Sequence, residues 1–252
     1  MKRYAIVKFR RGERESLTKC LPVERAVTIQ VNDEEVATLL ATPDRLKELA
    51  VGFLFSEGLI ADLREIADVD IDLNKNTVQV RLDNDFDGDG LGDAAIRTSG
   101  CGRGLTFSTL KDVSRLESDF AVDGGTILTL MKMLLRQGEL YQETGGVHTS
   151  ALADLKGIIS YGEDIGRHNT FDKILGDCFL SQIRTEDKVL LTTGRISSEM
   201  LLKSVRARIP VIASNSSPTN LAVELADALG TTLIGYARGG NMHIYTHSAR
   251  IV

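Results

Sequence analysis

Long apolar runs, paired cysteines and an excess of basic charge are all missing from this sequence of 252 residues. No stretch approaches the ~20 consecutive apolar residues that span a bilayer, so no transmembrane helix is expected. The opening "MKRYAIVKFRRGERESL" has basic residues but no apolar core of a signal peptide, so a secretory leader is not expected either. The three cysteines, Cys20, Cys101 and Cys178, are odd in number and widely spaced. That suits a reduced, cytoplasmic protein better than a disulfide framework. The net charge of -5 argues against general binding to nucleic acid or to a membrane surface. One basic cluster, Lys2, Arg3, Lys8, Arg10, Arg11 and Arg14, reads as a solvated, partly disordered end.

Several catalytic signatures are missing too. There is no Walker lysine pattern and no G-x-G-x-x-G, which disfavours ATP hydrolysis and an ordinary dinucleotide site. No G-x-S-x-G elbow announces a serine hydrolase. His148 and His168 stand at no zinc-type spacing, and His148 is followed by Thr149 and Ser150, with no glutamate to complete a deaminase signature. Zinc is therefore not expected, and the two histidines remain as hydrogen-bonding neighbours of a bound ligand. The acidic loop at 83–93 has Asp83, Asp85, Asp87 and Gly88 at calcium-loop positions, but Ala94 where a bidentate glutamate belongs. A solvated loop is the better reading.

The composition that remains is that of a soluble globular protein, with 42% hydrophobic and 26% charged residues. The sequence divides into a basic segment (1–20), a β-rich region (21–96), a cysteine loop and connector (97–125) and an α/β domain (126–252). In the β-rich region, "AVTIQVN" and "EVATLLAT" flank Asn32-Asp33, and "VDIDL" and "TVQVRLD" flank Asn74-Lys75-Asn76, which predicts two hairpins. A helix is predicted from Pro43, with Leu46, Leu49, Ala50 and Phe53 on one face. Two more are expected near 108–118 and 126–137. Beyond Gly145, "KGIISYG" reads as a strand followed by a helix, and from there "KVLLTTG", "VIASNSS" and "TTLIGYAR" alternate with helical stretches. That alternation predicts a parallel sheet with right-handed crossovers.

In such sheets, ligands sit beyond the carboxyl ends of the strands, facing helix N-termini. Two of those junctions, "TTGRISSE" and "SNSSPTN", are hydroxyl-rich. Helix capping explains one hydroxyl per helix, through Ser197 or Ser198 and through Thr219, but not five or six. With the cation of Arg195, these junctions point to phosphate or nucleotide binding. A third, "GYARGGN", places Arg238 beside two glycines and reads equally well as a tight turn or a ligand contact.

Cys101 lies in "RTSGCGRGL", a lone thiol among glycines. No second cysteine stands three residues on, since that position is Gly104, which disfavours dithiol chemistry. A single thiol can still act as a nucleophile or carry a transferable group. Backbone N–H groups and Arg103 would favour its thiolate.

The stretches "TPDRLKELAVGFLFSEGLI", "TSGCG", "TGGVHTSAL", "EDIGRHNTFDKILG", "TTGRISSEMLLK", "IPVIASNSSPTNLAVELA" and "GYARGGNMHIYT", in order from about residue 20 to the end, resemble the FdhD family of formate dehydrogenase accessory proteins. The resemblance implies a mixed α/β fold: a cytidine-deaminase-like three-layer domain, without the zinc, behind a β-rich N-terminal region. It implies a sulfur carrier in molybdenum cofactor biosynthesis, a sulfurtransferase-type carrier with a cysteine persulfide intermediate. On that resemblance, a cysteine desulfurase loads Cys101, and the sulfur passes to the molybdenum of bis-molybdopterin guanine dinucleotide before insertion into formate dehydrogenase.

The resemblance further assigns Gly194, Arg195, Ser197 and Ser198, then Ser214, Asn215, Ser216 and Ser217, to the guanine dinucleotide, with GDP as its mimic. Tyr236, Ala237, Arg238, Gly239, Gly240 and Asn241 fall at the family's cofactor-contacting turn. A homodimer is implied. Where many members carry a second loop cysteine this chain has Gly104, which leaves a one-cysteine mechanism. The alternative is a cofactor-holding chaperone that binds the guanine dinucleotide without transferring sulfur.

Overall fold

The computed structural model describes residues 1–83 and 114–252; Asp85, Asp87, Gly88, Cys101, Arg103 and the first half of the expected helix near 108–118 lie outside them. The first segment is not a loose end. β1 (Lys2–Arg10) pairs antiparallel with β2 (Glu13–Leu21) over all nine residues of each strand. The turn between them is Arg11-Gly12, with φ of 52° and 89°. Two consecutive positive φ values match the twist of a tight hairpin, and the charges that suggested disorder ride on its surface.

The second sheet has the order β4-β3-β6-β5, built from β3 (Arg25–Val31), β4 (Glu34–Ala41), β5 (Ile66–Asp72) and β6 (Thr77–Leu82). Both expected hairpins are there. Asn32 and Asp33 take φ of 46° and 72°, and the Asp72 carboxylate accepts from the backbone of Asn74 and Lys75 at 2.9 and 3.1 Å. Helix α1 (Leu46–Glu57) links β4 to η-type turn Leu63–Glu65 and then β5. It starts three residues later than Pro43 suggested, because Arg45 takes a left-handed conformation (φ 50°) as its N-cap.

The third sheet runs β12-β11-β10-β9-β7-β8. Its strands are β7 (His148–Ala153), β8 (Ile158–Asp164), β9 (Val189–Thr192), β10 (Val211–Ser214), β11 (Thr232–Arg238) and β12 (Asn241–Ile244). Strands β9, β10 and β11 are parallel, as the βαβαβ pattern predicted, while β7 runs antiparallel to both β8 and β9. Helices α4 (Arg167–Leu180), α5 (Ser198–Arg206) and α6 (Asn220–Leu229) bury Phe171, Ile174, Met200, Leu201 and Ala222 against one face. Helix α2 (Gly124–Gln137) covers the other with Ile127, Leu130, Met131 and Leu134, and short α3 (Glu139–Thr144) follows it. This is the expected three-layer α/β domain beside a β-rich region. Residues 114–118 form no helix, because the buried Leu116 donates its N–H to Leu229 O at the end of α6, at 2.8 Å.

Two buried ionic groups tie the layers together. Lys173 on α4, fully buried, meets Asp164 Oδ2 at 2.9 Å, Thr42 Oγ1 at 2.8 Å and Asp44 Oδ1 at 3.1 Å. Lys203 on α5 meets both oxygens of Asp172 at 2.7 Å and Glu57 Oε1 at 3.5 Å, reaching from α5 through α4 to α1. Burial opposes the ammonium of Lys203, but the carboxylates of Asp172 and Glu57 outweigh it and hold its pKa above the ordinary lysine value. Both clusters place carboxylates opposite lysines, the pairing that makes a buried charge tolerable.

Candidate functional site

The parallel run of β9, β10 and β11 brings three strand ends to one rim, and β7, being antiparallel, delivers its first residue to the same rim. The helices after these strands start there, so their unpaired N–H groups face outward. Ser197 caps α5, its side chain accepting from Met200 N, and Thr219 caps α6, accepting from Ala222 N at 3.3 Å.

Some of the hydroxyls hold the rim itself together. Thr192 Oγ1 accepts from Gly194 N at 3.1 Å and from Ser150 Oγ at 2.8 Å. Ser214 Oγ donates to Gly194 O at 2.7 Å and accepts from Ser216 N at 2.9 Å. Both residues are fully buried, so their role is to fix the loops rather than to face a ligand. The half-buried Ser197, Ser198, Asn215, Ser216 and Ser217 and the exposed Arg195 line the opening. The β9 and β10 loops are also stitched to each other, Ile196 N donating to Ser217 O at 3.2 Å and Thr219 N to Ile196 O at 3.0 Å.

The β11 end joins this group through Tyr236 N, which donates to Ser216 O at 2.9 Å. Gly239 and Gly240, with φ of 61° and 82°, make the turn into β12, where Arg238 pairs with Asn241. Ala237 is buried in the core, so its side chain packs there rather than outward. The Arg238 guanidinium lies 5.7 Å from the centre of the Tyr236 ring, which in turn stands 5.1 Å from the His243 ring. Tyr236 itself takes a φ of 52°, unusual for a bulky residue, and this lifts it out of the strand pattern.

Both histidines belong to the rim. His168 Nε2 is 3.3 Å from Ser197 Oγ and 3.3 Å from Glu199 Oε2. Burial, then the charges of Lys203 and Arg167, push its pKa down to about 3, so the ring is neutral. His148 is also shifted down, by burial first and then by Arg167, against the pull of Asp164. Neutral imidazoles here can hydrogen-bond a ligand without adding charge.

The sequence reading missed Arg167, which stands between Gly166 and His168 at the start of α4. Its aliphatic stem lies against Gly194, where a Cβ would come 2.9 Å from Arg167 Cβ and 3.5 Å from His148 Nδ1. Its Nε is buried without a hydrogen-bond partner. Burial, then the nearby Arg195, depress its pKa, with Glu199 opposing. Two close arginines facing one carboxylate leave positive charge uncompensated at a rim of helix N-termini, an arrangement suited to a phosphate-type anion. The signal in the sequence was "IGRHN", a cation directly after the glycine at the N-cap of α4. An open cleft lies beside it, lined by His148, Thr193, Asn215, Val147, Ile165 and Tyr141 among others.

Among the described residues, no three His, Cys, Asp or Glu side chains stand together as a metal site, and no helix is long and apolar enough to cross a membrane. Cys178 is buried on α4 and its thiol is pushed up to about 12, chiefly by burial, which keeps it protonated and inert.

Residues 22–252 match the FdhD/NarQ family. The chain is 39% identical to the sulfur carrier protein FdhD of Bacillus pumilus, over 99% of this chain and 97% of that protein. Against the protein of the same name from Staphylococcus aureus strain MRSA252 it is also 39% identical, over 98% and 95%. A crystal structure of a chain described as a formate dehydrogenase accessory protein, from Desulfotalea psychrophila, superposes with a TM-score of 0.82 at 26% identity, covering 100% of this chain and 99% of that one. With a family match over nearly its whole length and relatives well above 30% identity, this chain belongs to the FdhD/NarQ family.

Proposed function

We propose that this protein is a sulfur carrier that serves the maturation of a formate dehydrogenase. The observation that carries the reading is the near-complete alignment with proteins named as FdhD sulfur carriers, together with the formate dehydrogenase accessory protein that shares its fold. Cys101 is the thiol proposed to carry the sulfur. Its thiolate attacks the outer sulfur of a cysteine desulfurase persulfide; that S–S bond breaks as the new one forms, and the desulfurase thiolate leaves. No net oxidant is needed. The loaded sulfur is destined for the molybdenum of bis-molybdopterin guanine dinucleotide, held as cargo, in the cytoplasm, by a protein that works as a homodimer.

The strand-end rim is where the guanine dinucleotide is proposed to bind. Arg167, Arg195 and the α5 N-terminus suit its diphosphate, while Arg238 and the Tyr236 ring offer a cation and a flat apolar surface beside it. Because Arg167, Arg195 and the α5 N-terminus come together among the described residues, a cofactor-holding chaperone is the alternative. Intact mass after incubation with a cysteine desulfurase and cysteine separates the two. One added sulfur, removed by reductant and absent from Cys101→Ser, supports the carrier. No added sulfur in a protein that still binds GDP means the chaperone, and neither sulfur nor GDP binding rejects both.

A further inference from the structure

Strand β8 ends at Asp164 and helix α4 begins at Arg167, so Ile165 and Gly166 alone turn the chain onto the rim. In α5 and α6 the N-cap side chain, Ser197 or Thr219, satisfies a first-turn N–H. The N-cap of α4 is Gly166, which has no side chain to do this. Its N–H instead donates back to Asp164 Oδ1 at 2.8 Å. The same oxygen accepts from Asn169 Nδ2, in the first turn of α4, at 2.8 Å. One carboxylate oxygen thus holds the chain on both sides of Arg167.

The other oxygen has a different task. Asp164 Oδ2 accepts from Thr42 N at 3.0 Å and from Thr42 Oγ1 at 2.9 Å, and it meets Lys173 Nζ at 2.9 Å. Those contacts join the end of β4 to the α/β domain and neutralise the carboxylate. Asp164 is fully buried. Unpaired, its charge would be costly there and would repel an anion at the nearby helix start. With Lys173 beside it, the carboxylate brings an acceptor to the turn and no net charge to the rim.

Arg167 needs such an outside hold. Its Nε has no hydrogen-bond partner among the described residues, and its stem lies against Gly194. Nothing bonded to Nε aims the guanidinium, so its direction follows from where the turn puts the Arg167 backbone and from the wall at Gly194.

We infer that Asp164 is a positioning residue of the anion site: through Oδ1 it fixes the Ile165-Gly166 turn, and the turn aims Arg167 across Gly194 at the bound phosphate. This rests on the reading of the rim as a nucleotide site and adds to it a residue that touches no ligand.

Two charge-neutral double variants test it. Asp164→Leu with Lys173→Met and Asp164→Asn with Lys173→Met both remove the ion pair, and replacing a buried pair by apolar groups is often tolerated. They differ in one respect, since asparagine keeps an oxygen at the Oδ1 position and leucine has none. Urea titration establishes that each folds, and Asp164→Ala with Lys173→Met takes the place of the leucine variant if that one does not. The Arg167 Nε–H resonance, followed by NMR without nucleotide, should move in the leucine variant and stay in the asparagine variant. GDP affinity, by calorimetry, should fall ~10-fold in the leucine variant, the loss of one charge-assisted hydrogen bond, and lie within about twofold of wild type in the asparagine variant. Equal GDP affinity in the two doubles overturns the inference, whether both match wild type or both are weakened, because Oδ1 then makes no difference. An unmoved Arg167 resonance in the leucine variant overturns it as well. A wild type that binds no GDP is a separate failure: the nucleotide reading of the rim falls, and the role of Asp164 falls with it.

Discussion

Gly194 and Arg167 are in contact across the rim: a Cβ on Gly194 would stand 2.9 Å from Arg167 Cβ and 3.3 Å from its Cδ. The glycine thus sets where the guanidinium lies, and the neighbouring arginine, Arg195, is the next residue of the same loop. Gly194→Ala is expected to displace the Arg167 stem and the start of α4 that carries it, with some loss of stability because the atom it meets is Arg167 Cβ, fixed to the backbone. GDP affinity, measured by calorimetry, should fall ~10-fold or more, and Arg167→Ala should cost ~1–3 kcal/mol, the range of a charge-assisted hydrogen bond. Equal GDP affinity in Arg167→Ala and wild type would remove this arginine from the site.

At Arg238 the same range applies, ~1–3 kcal/mol of GDP binding on change to alanine. Arg238 is exposed and its contact is the Tyr236 ring, so the fold should not notice. Unaltered binding in Arg238→Ala would assign this turn to the hairpin alone.

Acid should destabilise the protein through His168. Its pKa falls from 6.5 in the unfolded chain to about 3 in the fold, where burial keeps the ring neutral. Between those values the unfolded chain binds the extra proton, so stability is full above 6.5 and declines as pH drops. At pH 5 the loss is about 2 kcal/mol from this group, and the depressed His148 acts in the same direction. Urea titrations at pH 7 and pH 5 should show a smaller difference in His168→Gln than in wild type. An NMR titration in which the His168 ring protonates near pH 6.5 would contradict the premise.

Removing the charge of Lys203 should be severe. Lys203→Met strands Asp172 and Glu57 in the interior, and breaking a buried pair from one side costs ~3–5 kcal/mol. Asp172→Asn together with Lys203→Met should recover part of that loss, which denaturant midpoints would report. A single variant as stable as wild type would mean that water reaches the pair.

Helix α1 crosses α4 backbone to backbone at Gly52 and Gly176. A Cβ on Gly52 would sit 1.8 Å from Asp172 O, and one on Gly176 would sit 1.9 Å from Glu48 O. Because both obstructing atoms are backbone, no side chain can turn aside, and Gly52→Ala should destabilise by about 3 kcal/mol or more. Thermal unfolding checks it, and an unchanged midpoint would show that the helices can separate freely.

Local chemistry was enough for the hairpin at Asn32-Asp33, for Ser197 and Thr219 as caps, and for the alternation that makes β9, β10 and β11 parallel. Each depends on neighbours a few residues apart, and turn residues, capping hydroxyls and apolar periodicity are visible at that range. The first hairpin escaped notice because its Arg11-Gly12 turn is surrounded by charges, which read as solvent-facing whether or not a strand lies beneath. Pro43 misplaced the start of α1 because a proline signals a first turn only if the residues after it stay in the helical region, and Arg45, two residues on, does not.

The rim and the buried ion pairs were beyond such reading. Arg167 and Gly194 are separated by a helix and a strand, and Lys203 finds its carboxylates on two other helices; only the packing of the layers decides which distant charges meet. A lysine in an amphipathic pattern looks solvated, and what makes it interior is the compensating carboxylate supplied from elsewhere in the chain. Pattern therefore determined the strands, helices and turns of this protein, and its motifs marked the strand ends as a binding rim. Tertiary structure decided which arginine stands there unpaired, which histidines are neutral and which serines are spent on holding the loops, because burial and the field of neighbouring charges are properties of the folded assembly of elements and not of any one of them.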